Sequence, residues 1–273
     1  MPQNILHEIL ETKRKEVDAL IGQRPLEQWK AAAAAGPAVR NFFAAVTRPP
    51  RRRVNLIAEV KRASPSAGVI RDDFDPVAIA RQYEAGGASA ISVLTDEKYF
   101  KGSLSYLAAV REAVTLPVLR KDFLIDPVQV YEARAAGADA VLLIAAALPA
   151  GRLLDLMILA AELKMTALVE VHDADELMQV RSAVGFPHRS YGLLGINNRD
   201  LTTFRVDLNT TLRLGGMVDA SVPIVSESGI KTRQDVERLR AGGVGGILVG
   251  ETLMRCPDIP AGIEELIGPE EPG

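Results

Sequence analysis

A chain of 273 residues is long enough for one large domain or two small ones, and ample for a sizeable core. Its 48% hydrophobic and 25% charged residues are ordinary for a globular protein, and a net charge of -3 argues against a broad nucleic-acid surface, so any anion site must be local. Cys256 is the single cysteine, which excludes an internal disulfide and any multi-cysteine metal site.

Residues 1–15 are too charged for a signal peptide. Residues 4–21 are predicted as an amphipathic helix, with Ile5, Leu6, Ile9, Leu10, Val17, Leu20 and Ile21 on one face and Lys and Glu residues opposite. A second helix is expected over 25–35, ending at Gly36-Pro37. Pro49-Pro50-Arg51-Arg52-Arg53 reads as a solvated linker rather than an anion site. Residues 1–53 read as a helical segment ahead of the first strand.

From Val54 onward strands and helices alternate, with strands expected near 54–60, 89–94, 117–121, 139–144, 166–171, 191–196, 222–226 and 245–249. Most are continuously apolar, as parallel strands covered by helices are. The longest apolar run, 140–150, is too short to span a bilayer, which needs about 20 residues. A cytoplasmic protein with no membrane or nucleic-acid partner is expected. Asp75-Pro76 and Asp126-Pro127 offer N-caps followed by proline, and Asp173 with Glu176 resembles a capping box. Gly87-Ala88-Ser89-Ala90-Ile91, Gly137-Ala138-Asp139-Ala140-Val141 and Gly243-Val244-Gly245-Gly246-Ile247 repeat a helix-to-strand turn. At about 25 residues per strand–helix unit these turns are two and four units apart, so 54–273 is predicted to form a closed (β/α)8 barrel. The alternative, an open doubly wound sheet, lacks a Gly-rich dinucleotide turn after the first strand.

Chemistry in such a barrel belongs at the C-terminal ends of the strands. Glu59 and Lys61 leave the first strand on one face, with Ser64 beyond them. A structural ion pair would explain that pair alone. Other strands repeat the pattern: Thr95-Asp96-Glu97 after the second, Arg120-Lys121-Asp122 at the third, Glu170 and His172 at the fifth. The sixth gives Asn197, Asn198 and Arg199, the seventh Ser226-Glu227-Ser228-Gly229 and the eighth Gly250-Glu251. Two lysines and three glutamates at one mouth shift one another's pKa values and suit acid–base chemistry. Ser228-Gly229 and Gly250-Glu251 each precede a predicted helix, where small residues let backbone N–H groups approach a phosphate. His172 is assigned a supporting role, and Cys256 an inert packed thiol.

Four of these segments in order, Ala58-Glu59-Val60-Lys61-Arg62-Ala63-Ser64-Pro65-Ser66, Leu119-Arg120-Lys121-Asp122-Phe123, Gly195-Ile196-Asn197-Asn198-Arg199-Asp200-Leu201 and Ser226-Glu227-Ser228-Gly229-Ile230, resemble the indole-3-glycerol-phosphate synthase family. The resemblance covers nearly the whole chain, and it implies that residues 1–53 are a helical extension packed on the barrel and not an independent domain. It implies ring closure, decarboxylation and dehydration of 1-(2-carboxyphenylamino)-1-deoxyribulose 5-phosphate, without metal or organic cofactor. By the same resemblance Lys121 is the general acid of ring closure and Glu170 an acid or base of later steps. Lys61 binds substrate anions, and the proton of dehydration falls to one of the two lysines, Lys61 or Lys121. Glu59 and Asn197 hold hydroxyls and migrating charge, with Glu227 and Ser228 beside them. Ser64, Arg199, Gly229, Gly250 and Glu251 line the ligand, and Leu94, Phe100, Phe123, Leu201 and Leu248 form a slot for its aromatic ring. A monomer or weak homo-oligomer is expected. The rivals are a metal-dependent sugar-phosphate epimerase, for which His7, His172 and His188 are too few histidines, and a non-catalytic phosphate-binding barrel, which would lack Lys121 or Glu170.

Overall fold

The computed structural model describes residues 5–184, 191–201 and 203–270, so that Asn4, His188 and residues 271–273 lie outside it. Eight parallel strands run in chain order: β1 (Asn55–Val60), β2 (Ala90–Leu94), β3 (Val118–Lys121), β4 (Ala140–Ile144), β5 (Thr166–Val171), β6 (Gly192–Asn197), β7 (Ile224–Glu227) and β8 (Gly246–Val249). Each pairs with the next and β8 closes on β1, giving the (β/α)8 barrel that the alternation predicts. The N-caps at Asp75 and Asp126 form as expected, each with proline in the first turn. Gly87, Gly137 and Gly243 hold φ of 88°, 91° and 84°, so the repeated turn is a left-handed step between helix and strand that a side chain would disfavour. The box at Asp173 is only half made. Asp173 accepts from the Glu176 amide at 2.8 Å, but Glu176 turns its own carboxylate to the backbone N–H and ring of His172.

Side-chain alternation builds the site's floor. Ile57, Leu119, Leu168, Leu193 and Val225 belong to the cluster inside the barrel, whereas their neighbours Leu56, Val118, Val169, Leu194 and Ile224 pack outward against the helices. Two residues further along the same inward rows stand Glu59, Lys121, Glu170, Asn197 (through Gly195) and Glu227. An apolar layer thus lies directly beneath a polar one. A Cβ at Gly195 would collide with the Glu227 carboxyl, so the missing side chain makes room for that carboxyl.

The extension folds as α1 (Ile5–Gln23), α2 (Leu26–Ala35) and α3 (Phe42–Thr47). Along α1, Leu6 and Ile9 join Phe123, Leu142, Ile144 and Leu248 in the interior cluster. The apolar stripe alone is compatible with burial near the loop after β1. Its polar anchors are instead on the loops after β2 and β3: Lys13 Nζ stands 2.8 Å from both Asp96 and Asp122, and the Tyr99 hydroxyl donates to the Glu8 carbonyl at 3.1 Å. Trp29 of α2 packs with Val17 and Val128 against the barrel's flank. The short α3 has no counterpart among the predicted elements. Asn41 caps it, and Phe42 and Val46 enter the interior cluster at the end opposite the mouth, where Asn55 Nδ2 donates to the carbonyls of Val46 and Arg48.

Candidate active site

The C-terminal ends of the strands open into a cavity of about 1230 Å³, and every residue to which the family resemblance gives a catalytic or ligand-lining role borders it: Glu59, Lys61, Ser64, Leu94, Phe100, Lys121, Phe123, Glu170, Asn197, Arg199, Leu201, Glu227, Ser228, Gly229, Leu248, Gly250 and Glu251, whereas Thr95, Asp96, Glu97, His172 and Asn198 do not. At its base the Lys121 ammonium lies 3.0 Å from Glu170 Oε2 and 3.4 Å from Glu227 Oε2. Glu170 Oε1 accepts from Asn197 Nδ2 at 3.1 Å and faces His172 Nε2 at 3.1 Å. On the other side Lys61 pairs with Glu59 at 2.6 Å. The Glu59 carboxylate occupies the space that a Cβ on Gly250 would take, so this glycine serves the neighbouring carboxylate as well as the turn.

Burial and charge set different protonation states for groups in contact. Burial pulls the Lys121 ammonium toward neutrality, but Glu170, Glu227 and Glu59 outweigh it and raise its pKa. Burial disfavours the Glu170 carboxylate, yet Lys121, His172 and Asn197 hold it well below the usual carboxylate range. Burial, reinforced by Glu170, pushes Glu227 up to about 8 against the pull of Lys121. Near neutral pH the base of the mouth therefore holds an ammonium, an ionised carboxylate and a protonated carboxyl side by side. Such a split is what separate acid and base roles require.

The opposite wall is apolar. Phe100 and Phe123 stand 6.2 Å apart between centroids with planes 37° apart, and Leu94, Leu201 and Leu248 line the same cavity. Phe100 ends a helical turn, Glu97–Phe100, capped by Asp96, and Phe123 follows Asp122, whose carboxylate accepts from the Phe123 amide at 2.8 Å. The two carboxylates that place these rings are those that Lys13 holds.

At the loops after β7 and β8, Ser228 and Gly229 hold φ of 66° and 80°. Two successive left-handed residues turn the backbone sharply away from strand geometry, and the serine takes a conformation rarely kept without functional or packing support. Asn198 supplies that support, and its side chain is committed there rather than to a ligand. Its Nδ2 donates to Ser226 Oγ and to the carbonyls of Glu227 and Ser228 at 2.9–3.0 Å, while its Oδ1 accepts from Thr211. Glu251 pairs with Arg255 at 2.9 Å, which leaves its backbone rather than its carboxylate for an anion. Three basic residues not picked out from the sequence, Lys231, Arg238 and Arg255, line the same cavity, as do Leu6 and Ile9 of α1. Lys231 stands two residues beyond Gly229 of the Ser228-Gly229 turn, a proximity that could have marked it. Nothing local marks Leu6 or Ile9, which reach the cavity only through tertiary packing. Among the described residues no group of three or more His, Cys, Asp and Glu is placed to hold a metal ion, and no helix is long and apolar enough to cross a membrane.

Comparison with known proteins agrees on one family. The family model described as indole-3-glycerol phosphate synthase matches residues 6–266. The chain is 51% identical over 270 residues to the indole-3-glycerol phosphate synthase of Aromatoleum aromaticum, covering 97% of this chain and 99% of that one. It is 49% identical to that of Geobacillus kaustophilus, covering 98% of each. Among solved structures, a 3-hexulose-6-phosphate synthase superposes with a TM-score of 0.61 at 18% identity, over 78% of this chain and 98% of that one, a likeness of fold alone.

Proposed function

The chain belongs to the indole-3-glycerol phosphate synthase family, and on that premise we propose how its mouth divides the work of the reaction. The enzyme is a decarboxylating lyase of tryptophan biosynthesis that closes the indole ring of indole-3-glycerol phosphate. The substrate, 1-(2-carboxyphenylamino)-1-deoxyribulose 5-phosphate, lays its aromatic ring against the apolar wall of Phe100, Phe123, Leu94, Leu201 and Leu248 and its phosphate over the backbone at Gly229 and Gly250, with Arg199 beside it. The ring carbon bearing the carboxylate then attacks the sugar carbonyl as Lys121 delivers a proton to the developing alkoxide. The bond to the carboxylate breaks, its electron pair restores the aromatic ring, and carbon dioxide leaves. A second proton, for which Lys61 is the nearest further donor, carries the hydroxyl away as water. Glu170 takes the proton whose loss completes the indole. Glu59, Asn197 and the protonated Glu227 hold hydroxyls and migrating charge, with Ser228 at the turn and Ser64 at the rim.

The observation that carries this division is the contact of Lys121 with Glu170 at 3.0 Å, a charged acid and an ionised base meeting directly below an aromatic slot. We place the enzyme in the cytoplasm, in keeping with its single cysteine, and take it to work as a monomer or weak homo-oligomer, since its exposed large apolar residues include positions as scattered as Ile21, Val69, Ile158 and Met217. Incubation with the carboxyphenylamino substrate, followed by indole fluorescence, tests the activity. Indole-3-glycerol phosphate should form in step with carbon dioxide, and release of carbon dioxide without the indole product would overturn the assignment.

A further inference from the structure

Among the described residues six basic and seven acidic side chains line the cavity, so even with Glu227 protonated its walls hold no surplus of positive charge. The proposed substrate brings a carboxylate and a phosphate, the latter alone about −1.5 to −2 in charge near pH 7. Backbone N–H groups at Gly229 and Gly250 offer that phosphate only partial charges. A full charge has to come from a basic side chain that the protein has not already paired.

Most of the six are engaged. Lys61 pairs with Glu59 at 2.6 Å, Lys121 with Glu170 at 3.0 Å and Arg255 with Glu251 at 2.9 Å. Arg199 donates to the Phe204 carbonyl at 3.3 Å, and Arg238 to Asn209 Oδ1. Lys231 differs: it is exposed, and its ammonium has neither an ion pair nor a hydrogen bond among the described residues. Its backbone is nevertheless fixed. The Lys231 N–H donates to Asp235 Oδ2 at 3.0 Å, and the same oxygen accepts from the Thr232 N–H and hydroxyl, both at 2.9 Å. Asp235 is thus taken up by the turn and does not reach the lysine's charge. Thr232 caps the helix Arg233–Ala241, so Lys231 stands at that helix's positive end, where a cation is disfavoured and an anion favoured. It is also only two residues, at most about 7 Å of chain, beyond Gly229.

We propose that Lys231 binds the substrate's phosphate, its ammonium closing over the anion seated on the turns at Gly229 and Gly250, a role that rests on the placing of the phosphate there. A phosphomonoester dianion then meets backbone N–H groups on one side and a full positive charge on the other. In the free protein the lysine and the helix end repel each other. With the dianion bound both act on it with the same sign, so the position that costs stability without a ligand favours binding with one. Arg238 and Arg255 do not take this place, because Asn209 and Glu251 hold their guanidinium groups. Lys231 lies away from the reacting atoms at Lys121 and Glu170, so its contribution belongs to binding rather than to the chemical step. Being exposed, it is weakened by salt.

The test compares full-length Lys231→Gln and Lys231→Arg with the wild type, measuring kcat, KM and inhibition by inorganic phosphate. Glutamine keeps the backbone N–H to Asp235 and removes only the charge. KM for the carboxyphenylamino substrate and Ki for inorganic phosphate should each rise about fivefold in Lys231→Gln, with kcat little changed. Both differences should shrink between about 0.01 M and about 0.15 M ionic strength, over which the Debye length falls from about 30 to about 8 Å. Lys231→Arg, which keeps the charge, should restore most of the affinity. Unchanged KM and Ki in Lys231→Gln would overturn the proposal. A fall in kcat at constant KM would do the same, as would a rise in KM that ignores both salt and the arginine variant. Phosphate inhibition of the wild type separates the two ideas. If inorganic phosphate does not compete with substrate there, the placing of the phosphate is itself wrong, whereas if it competes equally in wild type and Lys231→Gln only the role of the lysine fails.

Discussion

Lys121 and Glu227 carry the sharpest residue-scale expectations. Lys121→Met keeps the stem volume and removes the donor, so kcat should fall by roughly 10²–10⁴-fold with little change in phosphate affinity, and a variant keeping more than about a tenth of wild-type kcat would remove Lys121 from the acid's role. Glu227, pushed up to about 8, is a neutral carboxyl at pH 7 and an anion beside Glu170 at higher pH. If the neutral form serves the substrate, kcat/KM falls as pH rises through about 8, and Glu227→Gln, neutral throughout, should lose that limb. Because the folded protein holds this proton where the unfolded chain has released it, the same group makes stability decline between the ordinary glutamate range and about pH 8. Activity should survive exhaustive chelation, since the mouth offers ammonium, amide and paired carboxylate groups rather than a ligand cluster; loss restored by a divalent ion would favour epimerase-like chemistry. These positions were legible in the sequence because a charge near the end of an apolar strand has few structural uses. Glu227's protonation was not legible, since it depends on Glu170 and burial brought together by β5 and β7.

At the scale of elements, α1 is tied to the loops after β2 and β3 by one lysine. Lys13 is 1% exposed and meets Asp96 and Asp122, with Glu16 completing its partners at 2.8 Å. Burial disfavours the Asp122 carboxylate, but Arg120 and Lys13 bring it down to about 2. Lys13→Met would leave these buried carboxylates short of a cation, at a cost of about 3–5 kcal/mol, which for a chain of this size lowers Tm by roughly 10 °C. Adding Asp122→Asn should recover part of the loss, and no change in Tm for the single variant would show that the network contributes nothing. The apolar stripe of α1 was readable from its period, but Lys13 belonged by pattern to the solvent face, and only the docked helix makes it a core residue. The six residues of α3 are too few for a periodic signal, so the plug under the barrel escaped notice although Asn41 offered its cap.

Across the whole molecule the extension covers both ends of the barrel. Phe42 and Val46 close the floor and Leu6 and Ile9 roof part of the mouth, so the helices before β1 contribute to the cavity wall as well as to the core. The strand order and the barrel's closure came from local signals repeated eight times, whereas the placing of the extension depends on contacts spanning the chain, which no window of sequence contains. We propose that α1 shapes the aromatic slot and limits water entry during ring closure, because it holds Asp96 and Asp122, which set Phe100 and Phe123. Deleting residues 1–21 removes that hold and uncovers one wall of the cavity. The truncated chain should melt lower than the full one. Where circular dichroism shows the barrel still folded, kcat should drop and KM for the carboxyphenylamino substrate should rise, since the ring loses both its wall and the anchors of its slot. A truncated protein that melts lower yet turns over normally while folded would make α1 a structural cover and nothing more. Lys13→Met distinguishes the two contributions of the helix, because it breaks the anchors and leaves Leu6 and Ile9 in the chain. Equal losses of kcat in both variants would place the effect in the anchors, and a loss confined to the truncation would place it in the apolar roof.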